Sequence, residues 1–365
     1  MPHNSTIPFD QHSPGRGALS NAAGRFERHS RRYEGDGWDE PGPEAGAQRV
    51  LRTQTTLEVP RRVITYNRSP DLPFDRSINP YRGCEHGCVY CFARPSHAWL
   101  GLSAGLDFET RLVARPEAPA RLRDELRHRA YTPQTIAIGT NTDPYQPIEK
   151  THEVTREVLK VLRDFRHPVG IVTKGALIER DIDILQELAR DGLVRVGISV
   201  TTLDAGLARR LEPRAPSPKR RLATIRALSE AGIPVRIMTS PLIPGLTDHE
   251  LEALLAAGRD AGAVAASWIM LRLPMEVAPL FKEWLAEHYP HRAGRVMGHI
   301  RDMHGGKDYD DRWGQRMRGT GPYAEIIARR FDTAVRRLGL DRTLPALRTD
   351  LFRAPGQMGD QLSLF

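Results

Sequence analysis

The residues best suited to chemistry are three cysteines, Cys84, Cys88 and Cys91. They are the only cysteines of the 365-residue chain, and they lie together in the stretch YRGCEHGCVYCFARPSH, residues 81–97, with the spacing Cys-x3-Cys-x2-Cys. Thiolates bind soft metals and iron–sulfur clusters tightly. Gly83 and Gly87 suit a loop that wraps around such a centre, because glycine tolerates positive φ. The stretch therefore predicts a metal or iron–sulfur site.

The number of thiols bears on the kind of centre. A closed structural zinc or cluster site takes four protein ligands, whereas a catalytic site keeps one position open. Three thiols fit the open kind, and the alternative is a Cys3His zinc site completed by His86 or His97. With no further cysteine in the chain, a second all-cysteine cluster and a disulfide network are excluded.

An alternation of strands and helices surrounds this stretch from about residue 60 onward. Short apolar runs predict strands at 135–139, 169–173, 194–200, 235–239 and 266–272, after a first strand around 75–81. Helical patterns lie between them at 118–129, 152–165, 179–191, 218–231 and 248–261. Continuous apolar runs are typical of parallel strands covered on both faces. About six such units predict an α/β fold, a partial (β/α)6 TIM-like barrel.

Polar residues follow several of these strands, where parallel α/β folds gather their chemistry. The loop 140–147 contains Asn141 and Asp143, Lys174 follows the third strand and Ser199 ends the fourth. These residues suit hydrogen bonding to a small polar ligand, although turn chemistry alone also favours Asn, Asp and Pro. Glu212 and its neighbour Arg214 form either an orienting pair or a surface ion pair of little energetic worth.

The order Cys-x3-Cys-x-Tyr-Cys resembles the signature of the radical S-adenosylmethionine (SAM) superfamily. In that family three cysteines hold a [4Fe–4S] cluster and SAM chelates the fourth iron. The stretch from about residue 75 to 270 looks like the branch that contains spore photoproduct lyase, a DNA repair enzyme. The resemblance implies that an external donor of the flavodoxin or ferredoxin type reduces the cluster, and that SAM is cleaved to methionine and a 5′-deoxyadenosyl radical.

The resemblance also implies roles for single residues. Lys174 and Ser199 match a lysine and a serine that contact SAM in the lyase branch, and Tyr90 is expected near the adenine or over the cluster. Asn141, Asp143 and Glu212 complete the predicted cofactor-binding set. One departure matters, because the lyase uses an additional cysteine as hydrogen donor and none exists here. Hydrogen is then returned by a tyrosine, by recycled 5′-deoxyadenosine or from outside, or the reaction differs. Tyr145 is the predicted catalytic residue, and the other candidate donors are Tyr289, Tyr309 and Tyr323.

Composition limits the class of protein. The chain is 40% hydrophobic and 27% charged, as ordinary globular proteins are. A formal charge of +8 favours polyanionic partners such as DNA, but only weakly. There is no apolar run of membrane-span length and no signal-peptide core. We expect a cytoplasmic protein, because thiols stay reduced there.

The ends of the chain differ from the predicted barrel. We expect a disordered polar tail over 1–55, locally basic at Arg25, Arg28, Arg31 and Arg32, then the barrel over 60–290 and a helical extension over 291–352. A flexible tail over 353–365 ends in Gln361–Phe365, QLSLF. This pentapeptide resembles the peptide by which bacterial repair proteins dock on the DNA polymerase sliding clamp. The alternative is an ordinary chain end whose Leu and Phe fold onto the domain.

Three hypotheses follow. The leading one is a radical SAM enzyme that acts on DNA and is recruited by the sliding clamp. The second keeps the same chemistry but has tRNA or a protein as substrate. The third is a non-catalytic module in which zinc or a cluster serves structure or redox sensing.

Overall fold

A computed structural model describes residues 15–27, 51–341 and 344–356. Arg28, Arg31, Arg32 and the clamp-like peptide Gln361–Phe365 lie outside these ranges. In the part of the chain so described, no helix has the length and apolar character needed to cross a bilayer.

Two sheets form the framework. The strands are β1 (Gln54–Leu57), β2 (Ile64–Tyr66), β3 (Arg76–Ile78), β4 (Tyr81–Arg82), β5 (Arg111–Ala114), β6 (Ile136–Ile138), β7 (Val169–Thr173), β8 (Val194–Ser199), β9 (Val235–Leu242) and β10 (Ala265–Met270). The larger sheet has the order β10-β9-β8-β7-β6-β3-β2, and the smaller has the order β1-β5-β4. In the larger sheet β3 and β6 to β10 are parallel, while β2 pairs antiparallel at one edge.

Helices connect and cover the strands. They are α1 (Asp107–Thr110), α2 (Ala118–Arg127), α3 (Glu149–His152), α4 (Val154–Asp164), α5 (Ile182–Arg190), α6 (Ala205–Leu211), α7 (Pro218–Glu230), α8 (Leu251–Asp260), α9 (Val277–His288), α10 (Pro290–Met303) and α11 (Gly321–Leu338). Short 3₁₀ helices lie at Arg94–Leu100, Ala176–Asp181 and Asp248–Glu250.

The predicted partial barrel is confirmed. Its six parallel strands correspond to the first strand expected around 75–81 and to the five apolar runs, and all six contribute side chains to one continuous core. β7 has the predicted bounds, whereas β9 continues three residues further, to Leu242. The sheet remains open between β2 and β10. Because the six strands are parallel, their carboxyl ends meet at one edge, which faces the cysteines.

Part of the predicted disordered tail is ordered, so that prediction is wrong for residues 15–27. Arg16 is buried and donates hydrogen bonds from Nη1 to the Glu109 carbonyl (2.8 Å) and from Nη2 to Thr53 Oγ1 (3.1 Å). Gly17 lies so close to the cysteine loop that a Cβ there would come within 1.8 Å of the Gly87 carbonyl oxygen. This segment covers the cysteine loop.

The carboxyl-terminal part is helical, as predicted. α11, which contains the expected basic helix, packs on α8, and its Phe331 ring lies 6.0 Å from Trp268. Residues 353–356, expected within a flexible tail, continue along the barrel: Arg353 N donates to the Phe165 carbonyl (3.1 Å). The remaining boundaries of the predicted domains stay predictions.

Candidate active site

The cysteine loop leaves the barrel directly after β4. Cys84 and Cys88 are buried and Cys91 is partly buried. Gly83 and Gly87 both have positive φ, +73° and +67°, so the role expected for these glycines is confirmed. A Cβ at Gly87 would lie 2.7 Å from Glu109 Oε2, which adds a steric reason for glycine at that position.

A buried arginine holds the loop in place. Arg94 donates from Nε to the Cys88 carbonyl (2.9 Å) and from Nη2 to the Gly87 carbonyl (3.3 Å). Its Nη2 also lies 2.5 Å from Glu109 Oε1. Glu109 accepts further hydrogen bonds from the backbone nitrogens of Gly17 and Ala18 (2.9 Å each). Neither Arg94 nor Glu109 was predicted from the sequence, because no local pattern indicates that these two residues pair.

The loop after β6 supports the cysteine loop from the other side. Gln146 is fully buried, donates from Nε2 to the Gly83 carbonyl (3.1 Å) and accepts from Glu85 N at Oε1 (2.9 Å). Thr142 donates from its hydroxyl to the Tyr81 carbonyl (3.0 Å). Some of the polar side chains of this loop therefore hold the cysteine loop in position.

One cavity joins the three cysteines to the strand ends. It holds about 930 Å³ of open space including its mouth. Residues from the cysteine loop and from the ends of five strands line it: Cys84, His86, Cys88, Tyr90, Cys91 and Phe92; 139–143; 172–174; Ser199; Met238, Ser240 and Pro241; and Ile269, Met270 and Arg272. Of the predicted cofactor-binding residues, Tyr90, Asn141, Asp143, Lys174 and Ser199 are among them.

Glu212 lies behind the cavity wall and does not line it. Its carboxylate accepts hydrogen bonds from the Tyr90 hydroxyl, from Thr201 Oγ1 (2.7 Å) and from Arg221. Lys174 Nζ lies 3.9 Å from Glu212 Oε1 and 5.8 Å from the centre of the Tyr90 ring. Glu212 therefore orients two residues that face the cavity.

The electrostatics around Glu212 keep it ionised. Burial raises the pKa of this carboxyl, but the charges of Arg221 and Lys174 outweigh burial and lower the pKa to about 2. The partner expected from sequence was Arg214, and that expectation is wrong. Arg214 instead pairs with Glu85 at 3.1 Å. The residue that pairs with Glu212 is the buried Arg221, which was not predicted from the sequence.

Asp143 is also bound by protein groups. Its oxygens accept from Thr173 Oγ1 (2.5 Å), from Tyr145 N (2.9 Å) and from Lys174 N (2.7 Å). His86 Nδ1 lies 3.3 Å from Oδ2. Burial raises the pKa of Asp143, but His86 and these hydrogen bonds lower it to about 2. Asp143 thus connects the ends of β6 and β7 to the cysteine loop.

Ser199, at the end of β8, and Asn141, after β6, line the cavity from the two sides of β7. Ser199 is buried and donates from its hydroxyl to the Ser240 carbonyl (2.9 Å), so it also connects β8 to β9. Asn141 N donates to Asn79 Oδ1 (3.2 Å).

Tyr145 does not reach the cavity, which argues against its predicted catalytic role. It is buried in the barrel core, and burial, followed by the charge of Asp181, raises the pKa of its hydroxyl. Tyr289 and Tyr323 do not line the cavity either. The Tyr289 hydroxyl accepts a hydrogen bond from Arg210 (2.8 Å), and the Tyr323 hydroxyl donates one to Asp248 (2.5 Å). Tyr309 accepts a hydrogen bond from the cavity-lining Arg272 (3.2 Å).

The donor set fits an iron–sulfur centre with an open side. Three thiols face a cavity that also carries polar strand ends. Burial raises the pKa of each thiol and so favours the neutral form in the absence of a metal. The positive charge of bound iron would reverse this and favour the thiolates. Within residues 15–27, 51–341 and 344–356, no three His, Cys, Asp or Glu side chains converge on a single-ion site. His97, one expected zinc ligand, lies outside the cavity, with Nε2 2.9 Å from the Arg111 carbonyl.

Residues 78–257, which carry the three cysteines and the barrel strands β6 to β9, match the profile of the radical SAM superfamily. The chain belongs to that superfamily. A [4Fe–4S] cluster and SAM are accordingly its cofactors.

Relatives and solved structures agree with this assignment. An uncharacterised protein of Mycobacterium tuberculosis is 38% identical over 226 residues, which cover 61% of this chain and 66% of that protein. The radical SAM Nα-GlyT isomerase of Pseudomonas phage M6 is 24% identical over 190 residues, 50% of this chain and 37% of the isomerase. The chain thus spans just under two thirds of the mycobacterial relative and much less of the phage enzyme.

Spore photoproduct lyase in complex with a dinucleoside spore photoproduct has a similar structure. The TM-score is 0.55 at 15% sequence identity, over 78% of this chain and 79% of the lyase. At this identity the similarity establishes a shared fold for the radical SAM chain and the lyase.

Proposed function

We propose that this radical SAM protein is a cytoplasmic enzyme that modifies or repairs DNA. The observation that carries the proposal is the single cavity in which three thiols meet the polar ends of the parallel strands. A purely structural metal site needs no such lining, which weighs against the non-catalytic hypothesis.

The cofactors define the reaction type, and the residues of the chain prepare it. When bound, the cluster and SAM supply a 5′-deoxyadenosyl radical that abstracts hydrogen from the substrate. Cys84, Cys88 and Cys91 hold iron in this proposal, and Lys174 binds the SAM carboxylate as a compact cation. Tyr90, Asn141 and Ser199 contact other parts of SAM. Asp143 and Glu212 act as positioning residues, since their oxygens are bonded to protein groups.

Several observations together favour DNA as the substrate class. The chain shares its fold with a protein crystallised with a dinucleoside lesion, and its formal charge is +8. Gln361–Phe365 resembles the peptide that docks on the sliding clamp, and such docking would bring the enzyme to replicating or repaired DNA. Because the chain has no fourth cysteine, the return of hydrogen to the substrate radical differs from that of the lyase branch. The proposal therefore names DNA as the substrate class and no particular lesion.

Substrate-stimulated SAM cleavage tests the proposal. Anaerobically reconstituted protein with dithionite and a flavodoxin-type donor is incubated with SAM and with damaged DNA, undamaged DNA, tRNA or a protein mixture. We expect DNA to raise 5′-deoxyadenosine formation and to change in mass. Stimulation by tRNA or protein alone would favour the second hypothesis, and zinc in place of iron and sulfide would favour the third.

The clamp peptide is tested separately. The intact chain and a chain in which residues 361–365 are scrambled are compared for retention on immobilised sliding clamp. We expect retention of the intact chain only, and equal retention would remove the clamp from the proposal.

A further inference from the structure

Arg272 is a cation in the cavity wall. Its charge helps to lower the pKa of Asp71, but that carboxylate is itself paired with Arg316 at 2.6 Å. Arg272 follows β10 and lines the cavity on the side where the strand order ends. Its Nε is buried without a hydrogen-bond acceptor, and Nη2 donates to the Tyr309 hydroxyl at 3.2 Å. Among the residues with a described structure, no carboxylate lies within 4.0 Å of this guanidinium, although Arg is an abundant ion-pair partner elsewhere in the chain.

Two aromatic rings fix the plane of the Arg272 guanidinium. Its Cζ lies 4.7 Å from the centre of the Phe92 ring and 5.9 Å from that of Tyr309. Stacking of this kind immobilises a guanidinium and leaves its N–H donors available at the edge. Phe92 directly follows Cys91 and is 44% exposed, so one part of its ring stays available to a ligand.

The charges that line the cavity indicate that Arg272 binds a group other than SAM. The cavity lining contains two permanently charged cations, Lys174 and Arg272, and SAM has one carboxylate. Lys174 is already oriented by Glu212 and lies over Tyr90 of the cysteine loop. The same lining contains the Asp143 carboxylate, which is bonded to Thr173 Oγ1 and Lys174 N, and the three thiols, which hold iron under the proposed function. Arg272 contacts no carboxylate of the described residues, so it is available to an anionic group other than the SAM carboxylate.

We propose that Arg272 binds a phosphate of the substrate backbone while Phe92 stacks on the adjacent base. This inference rests on the proposed action on nucleic acid. A guanidinium pairs with phosphate oxygens through two parallel hydrogen bonds, and an aromatic ring accepts any base on its face. Tyr309 is a positioning residue that holds Arg272 through its hydroxyl.

The surface next to Arg272 and Phe92 also combines arginine with exposed aromatic rings, which favours an extended nucleic-acid strand as ligand over a small molecule. Phe26 and Trp99 are both exposed, with ring centres 4.6 Å apart, and Arg25 lies 5.1 Å from the Phe26 ring. Arg25 also contacts Met275, three residues after Arg272, and its Nη1 lies 3.5 Å from Glu276 Oε1, an ion pair that a phosphate would have to compete with. Aromatic rings alternating with arginines along a surface are typical of single-stranded nucleic-acid binding.

Binding measurements on the reconstituted full chain test the inference. The probe is a fluorescein-labelled single-stranded DNA decamer, measured by anisotropy at several salt concentrations, and SAM affinity is measured separately by equilibrium dialysis. We expect Arg272→Gln to weaken decamer binding about tenfold and to lower the salt slope by about one. SAM affinity stays within about twofold of wild type. Arg259→Gln removes the same charge from an exposed pair with Asp260 on α8 and leaves both affinities unchanged.

Arg272→Lys distinguishes recognition from packing. It keeps the charge but not the planar double contact, so we expect the wild-type salt slope with about threefold weaker binding. Equal losses in the Lys and Gln variants, in affinity and in salt slope, would overturn the inference in favour of a packing role. Phe92→Leu is expected to weaken binding about fivefold without changing the salt slope.

The remaining outcomes separate this inference from the proposed function. Decamer binding that Arg272→Gln leaves unchanged would overturn the inference alone. A loss of SAM affinity in Arg272→Gln would also overturn it, by assigning Arg272 to the SAM carboxylate. Failure of the wild-type protein to bind DNA or RNA would overturn the proposed function and this inference with it.

Discussion

Arg94 and Glu109 form an ion pair inside the protein, with both side chains fully excluded from solvent and 2.5 Å between Nη2 and Oε1. Two buried charges are costly unless further hydrogen bonds satisfy them. Here those bonds go to the carbonyls of the cysteine loop on one side and to the backbone of Gly17 and Ala18 on the other. The pair therefore connects the amino-terminal segment to the cysteine loop.

Removing the charge of Glu109 should destabilise the whole cysteine loop. Glu109→Gln leaves Arg94 buried without its counter-charge, which costs about 3–5 kcal/mol of unfolding free energy. We expect lower stability in urea denaturation and less iron and sulfide per chain after reconstitution. Glu117→Gln, at an exposed position of the same charge, should match wild type. Equal stability and iron content in the two variants would contradict the structural role of the pair.

Lys174 should affect SAM without affecting the cluster. Lys174→Met removes a cation that lines the cavity beside Tyr90. A charged hydrogen bond of about 1.5–3 kcal/mol corresponds to about tenfold or greater loss of SAM affinity. Iron content should stay at the wild-type level. Lys160→Met is the matched control, because Lys160 pairs with Glu157 on the exposed face of α4. Unchanged SAM binding in Lys174→Met would assign the carboxylate to another residue.

Tyr145 should be dispensable for turnover. Its hydroxyl lies in the barrel core without a hydrogen-bond partner, so Tyr145→Phe removes no contact with the cavity. We expect formation of 5′-deoxyadenosine and of modified substrate within about twofold of wild type. A variant that still cleaves SAM but fails to complete the product would restore Tyr145 as a hydrogen donor.

His167 should make the fold sensitive to acid. The neutral ring donates from Nδ1 to the Pro168 carbonyl (3.0 Å) and accepts at Nε2 from the Tyr131 hydroxyl (2.7 Å). Burial lowers the pKa of His167 to about 4, from 6.5 in the unfolded chain. Between these values the unfolded chain binds a proton that the folded chain does not. Stability is therefore present above pH 6.5 and falls by about 3 kcal/mol as the pH drops to 4.

His167→Gln tests that sign. Urea denaturation of wild type and variant is compared at each pH, so that contributions shared by both proteins cancel. The stability difference between them should be largest near pH 7 and should shrink toward pH 4. A difference independent of pH would show that His167 does not titrate in this window.

The parts of the fold set by local sequence were predictable. Strand positions followed from continuous apolar runs, and Gly192 and Gly232 end helices with positive φ as helix-terminating glycines do. The cysteine positions and their glycines were equally visible, because the spacing of ligands around one centre is a local property. The lining of the cavity by Lys174 and Ser199 followed from their places at strand ends.

Long-range pairs were not predictable. Arg214 is two residues from Glu212 in sequence, yet Glu212 pairs with Arg221, because α7 brings the Arg221 guanidinium under the end of β8. Residues 15–27 have too few apolar side chains to indicate order. They are held by hydrogen bonds to Glu109, about 90 residues away, and no sequence pattern reports such contacts.

Reductive cleavage of SAM tests the central claim most directly. Wild-type protein and Cys88→Ala are reconstituted with iron and sulfide under anaerobic conditions, reduced with dithionite and supplied with SAM, and 5′-deoxyadenosine is quantified. The account predicts that wild type forms 5′-deoxyadenosine and methionine, and that Cys88→Ala forms neither and retains little iron. Wild-type protein that holds its cluster and binds SAM but produces no 5′-deoxyadenosine would contradict it.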